Sequence, residues 1–385
     1  MNGHKKSASI NERDDAFIKP DGVYLLNHSA GPLTHASVQA NNKYLQLWQE
    51  KGGDAWPHWL DELNTFSVNL AQLLHCDPAT VCPQPSVSMG FTQWLTALCT
   101  LRDSQGSSYR HRKHIIMHRS AFPSLGFVVE GLAKRHGLEL VLLQGPVNDL
   151  DAWREAMENP SALCCLFTHV HSNTGEVSDI ASLSELCKAH KVYCAVDIAQ
   201  SVGIMPINLA KWQADAIFGS CIKWLSGGPG AGFLINNLPI SRNFMPDHLG
   251  WFSHQNPFEF DIEHFVEAKN ASVFLGGTPS VQPFMVASAS IKVISEMGVE
   301  NRLAWTKQLQ KMLMSQLDAK FQQNLEQIGG TLCIDLPQAN LNGIQYALSE
   351  ADIKCDFRAS VVRLSFNSLN TEEDIALVAN CLQSR

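Results

Sequence analysis

The sequence predicts an α/β fold, a mostly parallel sheet covered by helices, followed by a smaller α+β domain. Three observations lead there. Short apolar runs alternate with helix-patterned segments between Ile115 and Ile235. Those runs are apolar throughout instead of alternating with polar residues, the pattern of strands buried on both faces. Beyond Pro279 the order changes to a long helical stretch and then mixed strand and helix patterns. A chain of 385 residues, 45% hydrophobic and 17% charged, is long enough to bury such a core. The implied division is a loosely held segment over 1–20, a large domain over 21–277 and a small domain over 278–385, with which the N-terminal segment is free to pack.

In order along the chain, Val23-Tyr24-Leu25-Leu26 reads as a short strand ending in the turn-like Asn27-His28-Ser29-Ala30-Gly31-Pro32. Thr34 to Glu50 and about Trp59 to Leu74 read as helices, the first stopped by Gly52-Gly53. Ser86 to Thr92 leads into a helix over Thr92–Leu101. Hydroxyls ahead of a helix N-terminus suit either an anion or simple N-capping by Ser88.

The alternation follows. Strands are expected at Ile115–Met117, Leu138–Leu142, Leu163–Val170, Tyr193–Asp197, Ala216–Gly219 and Ala231–Ile235. Helices are expected at Ser124–His136, Leu150–Glu158 and Ile180–His190. Ligands of such sheets bind at the carboxyl ends of the strands, where Thr168, Asp197 and Ser220 fall. Leu238 to Gly277 is rich in aromatics and turn residues. A helical stretch over Val281–Asn324 precedes strands at Thr331–Leu336, Gly343–Leu348 and Ser360–Phe366, and Thr371–Gln383 is the last helix.

A net charge of -8 gives no basis for a nucleic-acid or anionic-membrane partner, and no apolar run has the length of a membrane span. The N-terminus lacks the apolar stretch of a secretory signal. The eleven cysteines carry no Cys-x-x-Cys pairing for zinc or redox chemistry, and several lie in apolar runs. A cytoplasmic protein without a metal is expected.

The stretch from Asp215 to Gly230 carries the first chemistry. An apolar run ends at Ser220, and Lys223 stands beside Trp224 and Leu225 ahead of Gly227-Gly228-Pro229-Gly230. A poorly hydrated lysine has a lowered pKa and a nucleophilic amine; a solvated cation at a helix C-terminus fits the same residues. Asp197 closes another apolar strand, where a carboxylate needs a cationic or donor partner unless it is a helix cap. One cofactor suits both: pyridoxal phosphate takes a lysine for its aldehyde and a carboxylate for its ring nitrogen.

With these residues the chain resembles the fold-type I pyridoxal-phosphate enzymes of the class V aminotransferase group, and within it is most similar to kynureninase. The resemblance runs over nearly the whole chain. It implies the pyridoxal-phosphate-dependent transferase fold, of aspartate aminotransferase type. Phe91-Thr92 resembles a Leu-Thr that meets the phosphate, and Ala121-Phe122-Pro123-Ser124 a segment whose Phe stacks on the pyridine. Thr168, in Leu166-Phe167-Thr168, would place a hydroxyl near the cofactor. Asp197 sits where the ring-nitrogen aspartate does, and Gln200 where a glutamine in the desulfurase branch meets the 3'-oxygen. Ser220 and Lys223 match the Ser-x-x-Lys that carries the Schiff base. Trp251, in Gly250-Trp251-Phe252-Ser253-His254, and Thr278, in Gly277-Thr278-Pro279, would reach the phosphate, and the resemblance implies that they do so across a homodimer interface. Lys354-Cys355-Asp356-Phe357-Arg358 and Val362-Arg363-Leu364 resemble C-terminal motifs in which Arg363 holds the substrate α-carboxylate.

Departures accompany the matches. Leu125 stands in place of an aspartate, Ile222 of a tyrosine before the lysine, and Thr278 of an asparagine that helps recognise an aryl ketone. Expected, therefore, is an enzyme acting on a small amino acid through Lys223 and Asp197, kynureninase-like or aminotransferase-like. The alternatives are an elimination enzyme of the desulfurase or lyase kind and a degenerate binding or regulatory protein. Cys355 reads as structural. His28 and His254 are candidate acids or bases facing the site, or turn-bonded residues; His28 is taken as substrate-binding.

Overall fold

The chain begins with β1 (Val23–Tyr24), crosses a turn, and continues through α1 (His35–Lys51) and α2 (Trp56–Leu74). The computed structural model describes residues 16–383, so most of the segment expected to be loosely held lies outside the described residues. β2 (Val81–Gln84), α3 (Val87–Ser104) and the single turn α4 (Ser107–Arg110) follow. Then come β3 (His114–His118), α5 (Pro123–His136), β4 (Glu139–Leu143), α6 (Leu150–Glu158), β5 (Ala162–Thr168), α7 (Ile180–His190), β6 (Tyr193–Asp197), β7 (Ala216–Ser220) and β8 (Gly232–Asn236). After an irregular segment the chain finishes with α8 (Gln282–Met297), α9 (Val299–Gln316), β9 (Thr331–Asp335), α10 (Leu341–Glu350), β10 (Ile353–Lys354), β11 (Asp356–Arg358), β12 (Val361–Ser365) and α11 (Glu372–Leu382).

Seven strands form the main sheet in the order β2-β8-β7-β6-β5-β3-β4. β3 to β7 run parallel, and β8 is antiparallel to both its neighbours. Alternate residues feed two cores. Ile116, Cys165, Cys194, Val196 and Ile217 face one containing α2 and α8, and Ile115, Met117, Cys164, Ala195 and Phe218 face one containing α3 and α5. A third core gathers β1, α9, α10, α11 and the antiparallel sheet β11-β12-β9. Thus α8, which follows residue 277, packs on α1 and α2, while β1 pairs with β10 far along the chain. Among the described residues no helix is long and apolar enough to cross a membrane.

Four local expectations are corrected. Gly343–Leu348 is helix, not strand: Leu341, Ile344 and Leu348, all buried, have the three-to-four spacing of one helix face. The stretch expected as one helix from Val281 breaks at Gly298, whose φ of 80° suits glycine, and α9 stops at Gln316. α3 starts earlier than expected, because Ser86 and not Ser88 caps it by accepting the Met89 N–H at 3.2 Å. β2 was not expected as a strand; Pro83 is tolerated there because β2 lies at the sheet edge.

Gly219, near the end of β7, shows how tightly the sheet is built around the lysine segment. A Cβ at this position would overlap the Phe233 ring of the neighbouring strand. Gly219→Ala is expected to lower stability by about 1–3 kcal/mol, the range for overpacking a tight core. The urea midpoint measures it, and adding Phe233→Leu should restore part of the loss.

Candidate active site

The carboxyl edge of the sheet collects the titratable groups. Thr168 ends β5, Asp197 ends β6 and the two residues pair in register. Ser220 ends β7, and Lys223 lies three residues further in a turn closed by the Ser226 N–H donating to Lys223 O at 2.9 Å. A strand and not a helix leads into Lys223, so the reading as a solvated helix C-terminus does not apply. Burial drives the Lys223 amine below the usual lysine range. The Asp197 charge opposes that shift, and the guanidiniums of Arg358 and Arg363 add to it. Asp197 moves the other way. Burial raises its pKa, while Lys223 and the Ala199 N–H, 2.8 Å from its Oδ1, hold it down.

Phe122 reaches the same place from the opposite side. It precedes Pro123, the first residue of α5, in the extended conformation favoured before proline. Its ring, 40% exposed, lies with its centroid 5.7 Å from Lys223 Nζ and also 5.7 Å from the Arg358 guanidinium carbon. Thr168 Oγ1 at the end of β5 and Gln200 Oε1 just past Asp197 are buried without a protein partner, as are Trp224 Nε1 and Ser226 Oγ close to Lys223 in sequence. Gln200 donates from Nε2 to His28 O at 3.1 Å.

The turn after β1 closes the site. Gly31 donates its N–H to Ile222 O at 2.7 Å, and a Cβ on Gly31 would collide with Lys223 O and Ser226 Oγ. Asn27 donates to Ser365 O at 2.7 Å and accepts from Asn367 Nδ2 at 2.7 Å, tying the turn to β12. His28 is 1% exposed, with Nε2 donating to Asp356 Oδ1 at 3.0 Å and Nδ1 lying 2.8 Å from Ser365 Oγ. Both ring nitrogens are thus occupied, and His28 braces Asp356 instead of facing a substrate, contrary to expectation.

Asp356 and Arg363 stand opposite each other on β11 and β12. Arg363 donates from Nε to Asp356 Oδ1 at 2.8 Å and from Nη2 to Oδ2, and Nη1 donates to Ser172 O at 3.1 Å. Its Nη1 and Nη2 keep further hydrogens, so a carboxylate approaching end-on still finds donors. Burial would raise the Asp356 carboxyl, but hydrogen bonds from His28 and Arg363 outweigh it and hold the group well below the usual range.

Some expected residues lie elsewhere. Phe91 is fully buried against Phe218, 5.4 Å between ring centroids, and belongs to the core. Thr92 sits in the second turn of α3 and gives its hydroxyl to Ser88 O at 2.8 Å. Leu125 is 1% exposed and packs in the core, so no polar group is missing from the site at that position. Trp251 donates to Thr278 Oγ1 at 3.3 Å. Thr92 and Thr278 line one surface groove of about 620 Å³. His254 is held in a turn, its Nδ1 accepting the Asn256 N–H at 2.9 Å. Cys355 packs against the third core, and burial pushes its thiol up to about 12.

A polar chain not anticipated from the sequence lies just before Phe122. Ser120 Oγ is 2.6 Å from His118 Nδ1 and 2.7 Å from His171 Nδ1. His118 Nε2 faces Gly145 O at 3.0 Å, which can only accept, so Nε2 carries the His118 proton. Nδ1 then accepts, and Ser120 donates to it. Burial lowers the His171 pKa to about 4, keeping it neutral. No motif marks these residues; only the side-by-side ends of β3 and β5 bring them together.

Because folding lowers the Asp356 pKa below its unfolded value of about 4, its contribution to stability is complete above about pH 4. That contribution is lost as pH falls toward the folded value. The difference in urea midpoint between the wild type and Asp356→Asn should therefore be steady near neutrality and shrink below about pH 4. A gap that persists unchanged in acid would remove the ion pair as its source.

Residues 95–378 match the aminotransferase class-V family. Among curated proteins, the kynureninase of Geobacillus thermodenitrificans (strain NG80-2) is 24% identical over 302 residues, covering 75% of this chain and 68% of that protein. The kynureninase of Bacillus mycoides (strain KBAB4) is 26% identical over 396 residues, covering 96% of this chain and 90% of that protein. Among solved structures, a lysine-to-alanine variant of the C-DES protein, with glycine covalently linked to its PLP cofactor, aligns with a TM-score of 0.80. Its identity is 20%, over 95% of this chain and 97% of that one. The apo cysteine desulfurase from Thermococcus onnurineus NA1 aligns with a TM-score of 0.77 and 19% identity, over 94% and 93% of the two chains. The structural likenesses establish a shared fold.

Proposed function

We propose that this chain, which belongs to the class-V aminotransferase family, is a pyridoxal-phosphate enzyme that works at the Cα of an amino acid through Lys223 and Asp197. One observation carries the reading: a buried amine and a buried carboxylate share one sheet edge, with an aromatic ring 5.7 Å from the amine. The orphaned Thr168 Oγ1 and Gln200 Oε1 fit a polar cofactor at that edge, because buried polar atoms otherwise find partners.

Pyridoxal phosphate, when bound, supplies an aldehyde for amines and a ring that withdraws electrons from the substrate Cα. The rest falls to the chain. Lys223, its amine deprotonated more readily by burial, would hold the aldehyde and would be the group to move a proton at Cα. Asp197 would pair with the ring nitrogen, Phe122 would cover the ring, and Thr168 and Gln200 would offer it a hydroxyl and an amide. Ser220 and the N-terminus of α3, where Val87 and Ser88 stand in the first turn, suit the phosphate. Arg363, oriented by Asp356 and through it by His28, receives the substrate carboxylate. Phe91 has no part in this scheme.

Kynureninase relatives at 24–26% identity support a kynureninase-like reading within the family. The second reading, elimination of the desulfurase or C–S lyase kind, draws on the structural neighbours. Cys355 gives it no reactive thiol, since its pKa is pushed to about 12. A panel of amino acids with product identification separates the branches. Release of alanine with an aryl acid marks one, sulfur release the other, and absence of any spectral response marks a non-catalytic binder. Free thiols that are mostly buried suit a reducing compartment such as the cytoplasm.

A homodimer belongs to the same proposal. Trp251 stacks on Phe260, 76% exposed, and meets Phe258 edge-on next to Trp56. An exposed aromatic patch of this kind is typical of an interface. A second copy there would bring Trp251 and Thr278 to its partner's phosphate. Phe260→Glu is expected to shift the protein from dimer to monomer in light scattering, whereas a wild-type monomer at micromolar concentration would sink the idea.

Purified protein supplied with the cofactor should absorb in the visible, and the band should move on adding a reactive amino acid. Lys223→Ala should lose the band formed with the lysine while keeping the wild-type unfolding midpoint. A wild type that takes up no cofactor would overturn the proposal.

A further inference from the structure

We propose that Arg358, together with Arg363, clamps the α-carboxylate of the substrate, and that Arg358 is the member of the pair that supplies the neutralising charge. The proposal rests on the amino acid reading above and adds a specificity-determining residue to it.

The charges around the site leave one cation over. Lys223 and Asp197 lie close enough to shift each other's titration. Arg363 is matched by Asp356 in a two-point ion pair. Arg358 has no carboxylate partner among the described residues; its Nη1 donates to neutral groups, Ser172 Oγ at 3.0 Å and Asn173 Oδ1. A guanidinium cannot shed its charge by deprotonation in this range. One uncompensated cation calls for one anion, and an amino acid brings one in its α-carboxylate.

Position agrees with charge. Arg358 is two residues from Asp356 on β11, so both side chains leave the same face, the face that Arg363 presents from β12. The Arg358 guanidinium carbon and Lys223 Nζ are each 5.7 Å from the centroid of Phe122, which puts them no more than 11.4 Å apart (5.7 + 5.7). Ser172 ties the two arginines together, its carbonyl accepting from Arg363 and its hydroxyl from Arg358. Arg363 alone would offer a carboxylate only hydrogen bonds from a group whose charge Asp356 already balances. Arg358 supplies the missing attraction, and its planar fork suits a carboxylate.

The test compares two amines that differ in the carboxylate. Cofactor-loaded wild type, Arg358→Gln and Arg358→Lys are titrated with L-alanine and with ethylamine, following the visible spectrum. Arg358→Gln should weaken alanine roughly ten- to a hundredfold, the effect of losing a charge-assisted bond. Ethylamine should respond as in the wild type, and Arg358→Lys should recover part of the alanine loss. Equal weakening of both amines would overturn the proposal, because the residue would then only maintain structure. Unchanged alanine binding in Arg358→Gln would overturn it too, since Arg358 would then take no part in holding the α-carboxylate. A readout independent of the cofactor accompanies these. In cofactor-free protein, propionate should raise the melting temperature of the wild type more than propanamide does, and Arg358→Gln should abolish the difference. If no variant takes up cofactor, the function proposed above fails, and the propionate comparison still decides whether Arg358 binds a carboxylate.

Discussion

Lys223 and Asp197 are ionisable groups at the carboxyl edge of a sheet whose interior is otherwise apolar. Burial disfavours the charged form of each while the other favours it. The surrounding architecture serves to hold them there. β6 ends at Asp197 while the adjacent β7 runs on into the turn that bears Lys223, and that turn is packed by Gly31. The turn after β1, which carries Gly31, is itself pinned to the end of β12 by Asn27, which donates to Ser365 O and accepts from Asn367. Distant parts of the chain thus meet over one amine.

The antiparallel sheet β11-β12-β9 contributes the opposite wall. Its cross-strand pair, Asp356 with Arg363, is a guanidinium fixed by a carboxylate, and the carboxylate is fixed by His28 from the N-terminal turn. A side chain as long as arginine loses much rotamer freedom when it is held for a ligand. Here the loss occurs on folding, so the ligand meets a pre-set donor edge. Ser172 extends the network to the end of β5, so the wall and the main sheet are coupled through hydrogen bonds as well as apolar packing.

Much of this was legible from the residues alone. Continuous apolar runs such as Leu163–Val170 and Tyr193–Asp197 mark strands buried on both faces; the second ends at Asp197 as expected, whereas the first stops at Thr168, two residues short of the expected end. Where the reading failed, tertiary context had overridden local pattern. Gly343–Leu348 carries a glycine and β-compatible residues, yet its apolar spacing fits a helix packed on the third core. Pro83 obscures an edge strand. Phe91, chosen by motif similarity, turned out to point into the core because helix α3 begins four residues before it and so rotates the ring away from the edge.

What the sequence by itself determined was the alternation of strands and helices between Ile115 and Ile235, with one aspartate at a strand end and one lysine just beyond the next strand. Both follow from hydrophobic periodicity, which is a local property of the chain. The tertiary structure alone decided which partners those residues keep. His28 became a brace because residue 356, remote along the chain, lies beside it. Among the described residues Arg358 stayed without a carboxylate because Asp356 turned to Arg363, its register partner on β12. Pairing between remote segments depends on strand register and chain crossing, which no short window of residues encodes.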